Sequence, residues 1–232
     1  MMPDIFSSFD PSTYTTIQTS QSTLWTFSTI MVLFIIPTFW LSNSRINQIL
    51  MLPIETMRMQ AMRTNMAFLK PSSLILPTLF IILLIMNLSG LMPYMFSSSS
   101  HLMFTMTLSF PLWLSMIISS TMKNLKHTIA HLLPEGAPMW LNPFLVLVET
   151  LSILVRPITL SFRLAANMSA GHIILSLIAI SSASSMFSNY MMYLLSTSAL
   201  MLYIAFEFMI SGVQAFVLSL LTSLYSQDHS KT

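Results

Sequence analysis

The sequence predicts an all-α integral membrane protein with five membrane helices, the last two long and steeply tilted as a hairpin, and one amphipathic helix on the membrane surface. Three observations carry this. Of 232 residues, 54% are apolar and 7% charged, where a soluble domain averages about 25% charged. Apolar stretches of bilayer-crossing length recur along the chain, as packed spanning helices require. If five spans alternate the sides of their connectors, all seven extramembrane Lys and Arg residues fall on one side. The chain 1–232 reads as a single membrane domain.

Residues 24–42 form the first span, with Pro37 a candidate kink. Residues 43–70 hold Arg45, Glu55, Arg58, Arg63 and Lys70, beside an apolar face of Met51, Ile54, Met57, Met62 and Met66. That pattern fits a helix lying on the membrane surface or a solvated loop, and the helix is the reading adopted. The second span is 72–92, ended by Pro93, and the third is 102–121. Residues 123–138 are polar, with Lys126, His127, His131 and Glu135, and close in Pro-Glu-Gly-Ala-Pro turn chemistry. The stretches 140–180 and 186–225 follow. As continuous helices each would be about 60 Å long, roughly twice the hydrocarbon thickness. They must tilt steeply, bend or break. Pro143, Pro157 and Gly171 are candidate bend points in the first, and the second has no proline. The serine-rich run 181–189 is the expected turn between them.

Orientation follows from Lys and Arg alone. Arg45, Arg58, Arg63 and Lys70 come after the first segment, Lys123 and Lys126 after the third, and Lys231 after the fifth. The C-terminus is therefore expected on the positive side and the N-terminus across from it. Four or six segments would scatter these charges.

The net charge of +2 is too small to point to a nucleic-acid partner, and the absence of cysteine excludes disulfides and thiolate metal sites. The 22 methionines are either flexible apolar filler or a coding bias, since animal mitochondrial genomes use an extra Met codon. Asp4 and Asp10 are the only early charges, so no basic presequence opens the chain. A mitochondrial protein without one would be made inside the organelle. His127 and His131 stand at i, i+4 with no evident third ligand, and no Gly-rich phosphate loop is present. No metal, cofactor or nucleotide site is assigned.

Glu149, Arg156 and Arg163 follow one another at intervals of seven, nearly two helical turns, so they share one stripe. A charge at membrane depth costs roughly 2.5–3.5 kcal/mol on insertion scales. Such a pattern points to the movement of ions or protons. The Arg163 guanidinium is a fixed charge, suited to a carboxylate that gains and loses a proton. Asn167, one turn on, is placed to orient it. The plainer alternative is a structural ion pair with Glu149 or Glu207. Arg156 either snorkels or pairs with Glu149, about 10.5 Å away along the axis. His172 lies nine residues beyond Arg163, half a turn off, and so faces the other side of the helix. Two opposed polar sites suggest two aqueous compartments, although a lone histidine is more often a hydrogen-bonded core residue. Glu207, with Gln214 seven residues later on the same face, shifts that balance. One antiparallel register opposes both His172 to Glu207 and Arg163 to Gln214, with the turn near residues 188–190. Extended, it brings Glu149 near Asp228. Asn87 in the second span is either helix glue or a pore-lining group.

The segment SFRLAANMSAGH, from Ser161 to His172, resembles the signature of subunit a of the rotary ATP synthase in its animal mitochondrial form. IAFEFMISGVQAFVLSLLTSLY, from Ile204 to Tyr225, and NLSGLMPY, from Asn87 to Tyr94, are similar to the same family. The resemblance spans nearly the whole chain. It implies a proton-conducting stator beside a rotating c-ring, with peripheral-stalk and other membrane-sector subunits and the lipid bilayer as further partners. It implies location in the mitochondrial inner membrane, and in that membrane the Lys and Arg pattern puts the N-terminus in the intermembrane space and the C-terminus in the matrix. By the same resemblance Arg163 is the motor arginine that faces the c-ring carboxylate and blocks leakage. His172, Glu207 and Asn87 line the half-channel from the intermembrane space, Glu149 lies on the matrix-side path, and Gln214 packs beside the arginine. Bacterial relatives exchange the His and Glu of the pair, and some relatives carry glutamine where Arg156 stands. The first 20 residues and the tail after Tyr225 match only loosely. A secondary transporter would favour internal repeats, and none is seen. A non-conducting assembly subunit would lack buried polar pairs.

Overall fold

The computed structural model describes Phe6, Phe9, Trp25, Thr26, Thr29 and Ile30, and residues 45–64, 72–92, 95–133, 140–187 and 189–225. Among these residues there are six α-helices: α1 Arg45–Arg63, α2 Ser72–Gly90, α3 Leu102–Lys123, α4 Leu125–His131, α5 Asn142–Ser185 and α6 Tyr190–Tyr225. A short 3-10 turn, Ser98–Ser100, precedes α3. Helices α3, α5 and α6 are long and apolar enough to cross a membrane, and α2 supplies a shorter apolar stretch, Leu74–Gly90. The segment 24–42 falls mostly outside the described residues, and its four described positions are helical. Lys70, Met66, Tyr94, Glu135, Asp228 and Lys231 also lie outside them.

One local expectation is corrected: only the end of the serine run, from residue 186, forms the turn. Helix α5 continues through Ser181, Ser182, Ser184 and Ser185, each hydroxyl donating to a carbonyl three residues back at 2.8–2.9 Å. Serine breaks a helix by competing for its backbone, but here each hydroxyl bonds backward along an intact ladder. The turn falls at Met186 and Phe187, and α6 starts at Tyr190 rather than 186. Within the polar segment after Lys123, Leu125–His131 is helical, because no glycine or proline interrupts it before Pro134. Helix α5 runs for 44 residues through Pro157 and Gly171 without a break. Pro143 sits in its first turn, where a missing N–H costs nothing.

By packing, the chain divides into two units. One comprises Ser44–Phe80, Thr105–Arg163 and Val217–Thr232. In it α1 turns Met57 and Ala61 inward, four residues apart, and the Ser219 hydroxyl of α6 donates to the Met57 sulfur at 3.2 Å. Met51 and Met62, expected on the same face as Met57, are instead exposed with Leu52 and Met59. The three-to-four spacing through Ile54, Met57 and Ala61 selects the protein-facing stripe, and the remaining apolar residues are left for the bilayer. Helix α3 buries only small polar residues, Thr105 and Ser109. Ser109 donates to the Pro157 carbonyl of α5 at 3.3 Å, and Ser161 of α5 donates to the Met106 sulfur at 3.0 Å. Small side chains of this kind let helices approach closely in a membrane, where apolar burial adds little.

The other unit comprises Met1–Asn43, Ile81–Phe104 and Leu164–Phe216. Its interior includes Leu83, Ile85 and Met86 of α2, Leu164 and Met168 of α5, and Ala215 of α6. The facing parts of α5 and α6 form an antiparallel pair, tied near the turn by the Ser185 and Ser196 hydroxyls at 3.0 Å. Throughout the helices, hydroxyls bond backward within their own helix. Ser115 on α3, Ser152 and Ser176 on α5, and Ser198 and Ser223 on α6 do so at 2.7–2.8 Å.

Candidate functional site

Glu207 is 7% exposed, inside an apolar helix. Its carboxylate rests against Gly171 of α5, where a methyl group would sit 2.6 Å from the carboxyl carbon. Only glycine leaves that space. One turn before Glu207, the Tyr203 hydroxyl donates a hydrogen bond to the carboxylate. His172 follows Gly171 directly. Its Nε2 is buried and has no hydrogen-bond partner among the described residues, and its ring meets Phe9 edge-on at 6.2 Å. One turn beyond Glu207, the Ser211 carbonyl accepts from the Asn87 side-chain amide at 3.4 Å. Asn87 is wholly buried, and its Oδ1 has no partner among the described residues. This unit therefore holds a buried carboxylate on α6, an imidazole on α5 and a buried amide on α2. Asn167 and Gln214 are half-buried in the same unit.

In the hairpin Gly171 lies against Glu207, one residue from the His172–Glu207 opposition expected from sequence. That contact and the Ser185–Ser196 bond both centre the turn between residues 189 and 191.

In the other unit, Arg163 is exposed on α5 and makes no ion pair among the described residues. Glu149 pairs with Arg156 at 3.8 Å, the expected alternative to snorkelling. The Arg156 guanidinium also lies 5.1 Å over the Tyr225 ring, a cation–π arrangement. Both residues border a cavity of about 380 Å³ between α3, α4 and α5, walled by Trp113, Ile117, Ile129 and Ile153. Asp228, expected near Glu149, lies outside the described residues.

Sequence reasoning missed Tyr203, the Ser211 carbonyl and the role of Gly171. A backbone carbonyl leaves no mark in a sequence. Gly171 did leave one: the chain has four glycines, and this one adjoins a histidine inside an apolar helix.

A family profile described as ATP synthase A chain matches residues 22–227. The chain is 39% identical over 231 residues to the ATP synthase subunit a of Locusta migratoria, covering 98% of this chain and 99% of that protein. It is 36% identical to the ATP synthase F(0) complex subunit a of Rhopalosiphum padi, covering 98% of this chain and 100% of that protein. Against the F(0) complex subunit a of Alligator mississippiensis the identity is 38%, over 88% of this chain and 93% of that protein.

Proposed function

This chain belongs to the ATP synthase A chain family, and from that premise we propose that it is the proton-conducting stator subunit of a mitochondrial ATP synthase, with five spans in the inner membrane. Protons from the intermembrane space reach His172, Glu207 and Asn87, and from there neutralise a carboxylate on the c-ring. The ring turns, and the proton leaves by a second half-channel past Glu149 toward the matrix. Nucleotide chemistry belongs to partner subunits. The observation that carries this reading is the buried Glu207 carboxylate seated against Gly171, beside His172, in helices apolar enough to cross a membrane. A carboxylate and an imidazole in one packed unit can each take up and release a proton. His172 sits on α5, the helix that also carries Arg163, and Glu207 sits on α6.

Arg163 supports the second half of the mechanism. It is a permanent charge, exposed on an apolar helix, with no ion partner among the described residues. A partner's ionised carboxylate satisfies it, and its own field repels protons from a direct leak. Asn167, one turn on along the same helix, is placed in sequence to orient it.

Arg163→Ala tests the reading. Proton-driven ATP synthesis is expected to vanish while assembly largely survives, as read from activity and native gels on the same membranes. Arg163→Lys is expected to fail too, because lysine lacks the planar fork and loses its proton when desolvated. Near-normal synthesis by Arg163→Ala would overturn the assignment.

A further inference from the structure

The unit that holds His172 and Glu207 contains a second polar group of residues outside that pair. Between α2 and α3 the chain runs Phe96-Ser97-Ser98-Ser99-Ser100-His101. A serine-rich connector belongs on the surface, yet Ser97, Ser98 and Ser99 are 3%, 2% and 0% exposed. Ser97 packs so closely on Gly90 that a methyl group there would lie 3.3 Å from its Cβ. Ser98 donates to the Met86 sulfur at 3.7 Å, and Met86 directly precedes Asn87. The turn thus caps the end of α2 where Asn87 sits. His101 closes it. Its ring stacks on Phe96 at 5.1 Å and 28°, with Trp25 on another side at 5.5 Å.

Six buried side-chain polar atoms have no hydrogen-bond partner among the described residues, and four are in this unit: Asn87 Oδ1, Ser99 Oγ, His101 Nε2 and His172 Nε2. Buried polar atoms are almost always satisfied in native proteins, and polar groups at membrane depth mark ion and proton routes. The residues that carry these atoms lie on neighbouring segments of one packed unit. His101 and Ser99 lie on the serine turn, the turn rests on Met86 and Gly90, and Asn87 bonds to Ser211. Ser211 is one turn from Glu207, which lies against Gly171 beside His172.

We propose that the Ser97–His101 turn is the outer end of the proton path, and that His101 collects protons there and passes them by way of Ser99 and Asn87 to His172 and Glu207. The proposal rests on the half-channel reading above. The half-exposed His101 ring takes up a proton arriving from the intermembrane-space side, becomes imidazolium, and returns to neutral as one proton moves inward, so its charge and proton count are restored after each transfer. Burial alone holds the His101 imidazole below its usual titration range. Its ring neighbours, Phe96 of the same connector and Trp25 of the N-terminal segment, carry no titratable group. The resting ring is therefore neutral near pH 7, with one nitrogen open to a proton.

The test uses membranes carrying the assembled complex, with ATP synthesis driven by an imposed proton gradient and the pH on the intermembrane-space face varied. His101→Gln retains hydrogen bonding without titration, and His101→Phe retains the ring stack. Each is expected to slow synthesis at least about fivefold and to flatten its dependence on that pH between about 5 and 8. A merely structural role would lower the amount of complex but leave the profile per complex unchanged. His172→Ala runs in parallel. Normal rates and profiles in both His101 variants, with His172→Ala impaired, overturn this proposal alone. Normal rates in His172→Ala as well overturn the half-channel reading with it. Should either His101 variant fail to assemble, Ser99→Ala decides: slowed transfer supports the path, and a normal rate and profile overturns it.

Discussion

Gly171 has no side chain, and the Glu207 carboxylate occupies the space where one would be. Gly171→Ala raises helix propensity by about 1 kcal/mol, so the helix does not suffer. The atom displaced is the far end of a flexible side chain, so the complex is expected to assemble in normal amount. Its proton-driven synthesis is expected to fall about tenfold, because the relay geometry shifts by about an ångström. Rate measured against assembled complex on native gels checks this, and a normal rate would mean that the seat is incidental. The double exchange His172→Glu with Glu207→His is expected to recover more pumping than the single losses imply, as for coupled neighbours; strictly additive losses would separate the two residues. At this scale the sequence shows where charge stands in apolar stretches, as with Arg163, Glu149 and Glu207, but not what surrounds each charge. Gly171 was read as a bend because a missing side chain gives no sign of what fills its place. His101 was passed over because its aromatic and serine neighbours become a burial site only in three dimensions.

Helix α3 touches α5 through residues chosen for smallness. Ser109→Ala keeps the close approach and loses one hydroxyl bond, a loss of about 0.6 kcal/mol by membrane averages. Ser109→Leu drives a branched side chain into the Pro157 backbone and is expected to lower the thermal stability of the detergent-extracted complex far more. Equal melting temperatures for the two variants would show that α3 does not pack there. Hydropathy made the long helices legible, because length and apolar content are properties of the chain itself. The turn was not, since a serine run reads as a breaker until its hydroxyls are seen bonding backward at 2.8–2.9 Å. On α1 the apolar positions were legible but the face was not: Met51 and Met62 are apolar and exposed, and only packing distinguishes them from Met57.

Large apolar side chains remain exposed along α5 and α6, among them Leu151, Phe162, Leu202 and Met209. In water this would be an aggregation surface; in a bilayer complex it is the face met by lipid and by partner subunits. The positive-side pattern of Lys and Arg adds direction. Terminal tags in intact mitoplasts are expected to be cleaved by external protease at the N-terminus and protected at the C-terminus. Cleavage of a C-terminal tag would overturn both the orientation and the five-span count. Charge distribution is legible at this scale because it is a sum over the chain. The partition into two packed units was not, since α5 and α6 contribute residues to both and no composition change marks the division.

The backward-bonding hydroxyls bear on how such a chain is born. A helix whose serines are already satisfied can leave the ribosome and enter lipid before any neighbour exists. Asn87 is different. Its amide waits for the Ser211 carbonyl, 124 residues downstream. Synthesis that stops short of α6 leaves that amide stranded among acyl chains, a chemical mark by which a quality-control protease can tell an unfinished chain from a finished one.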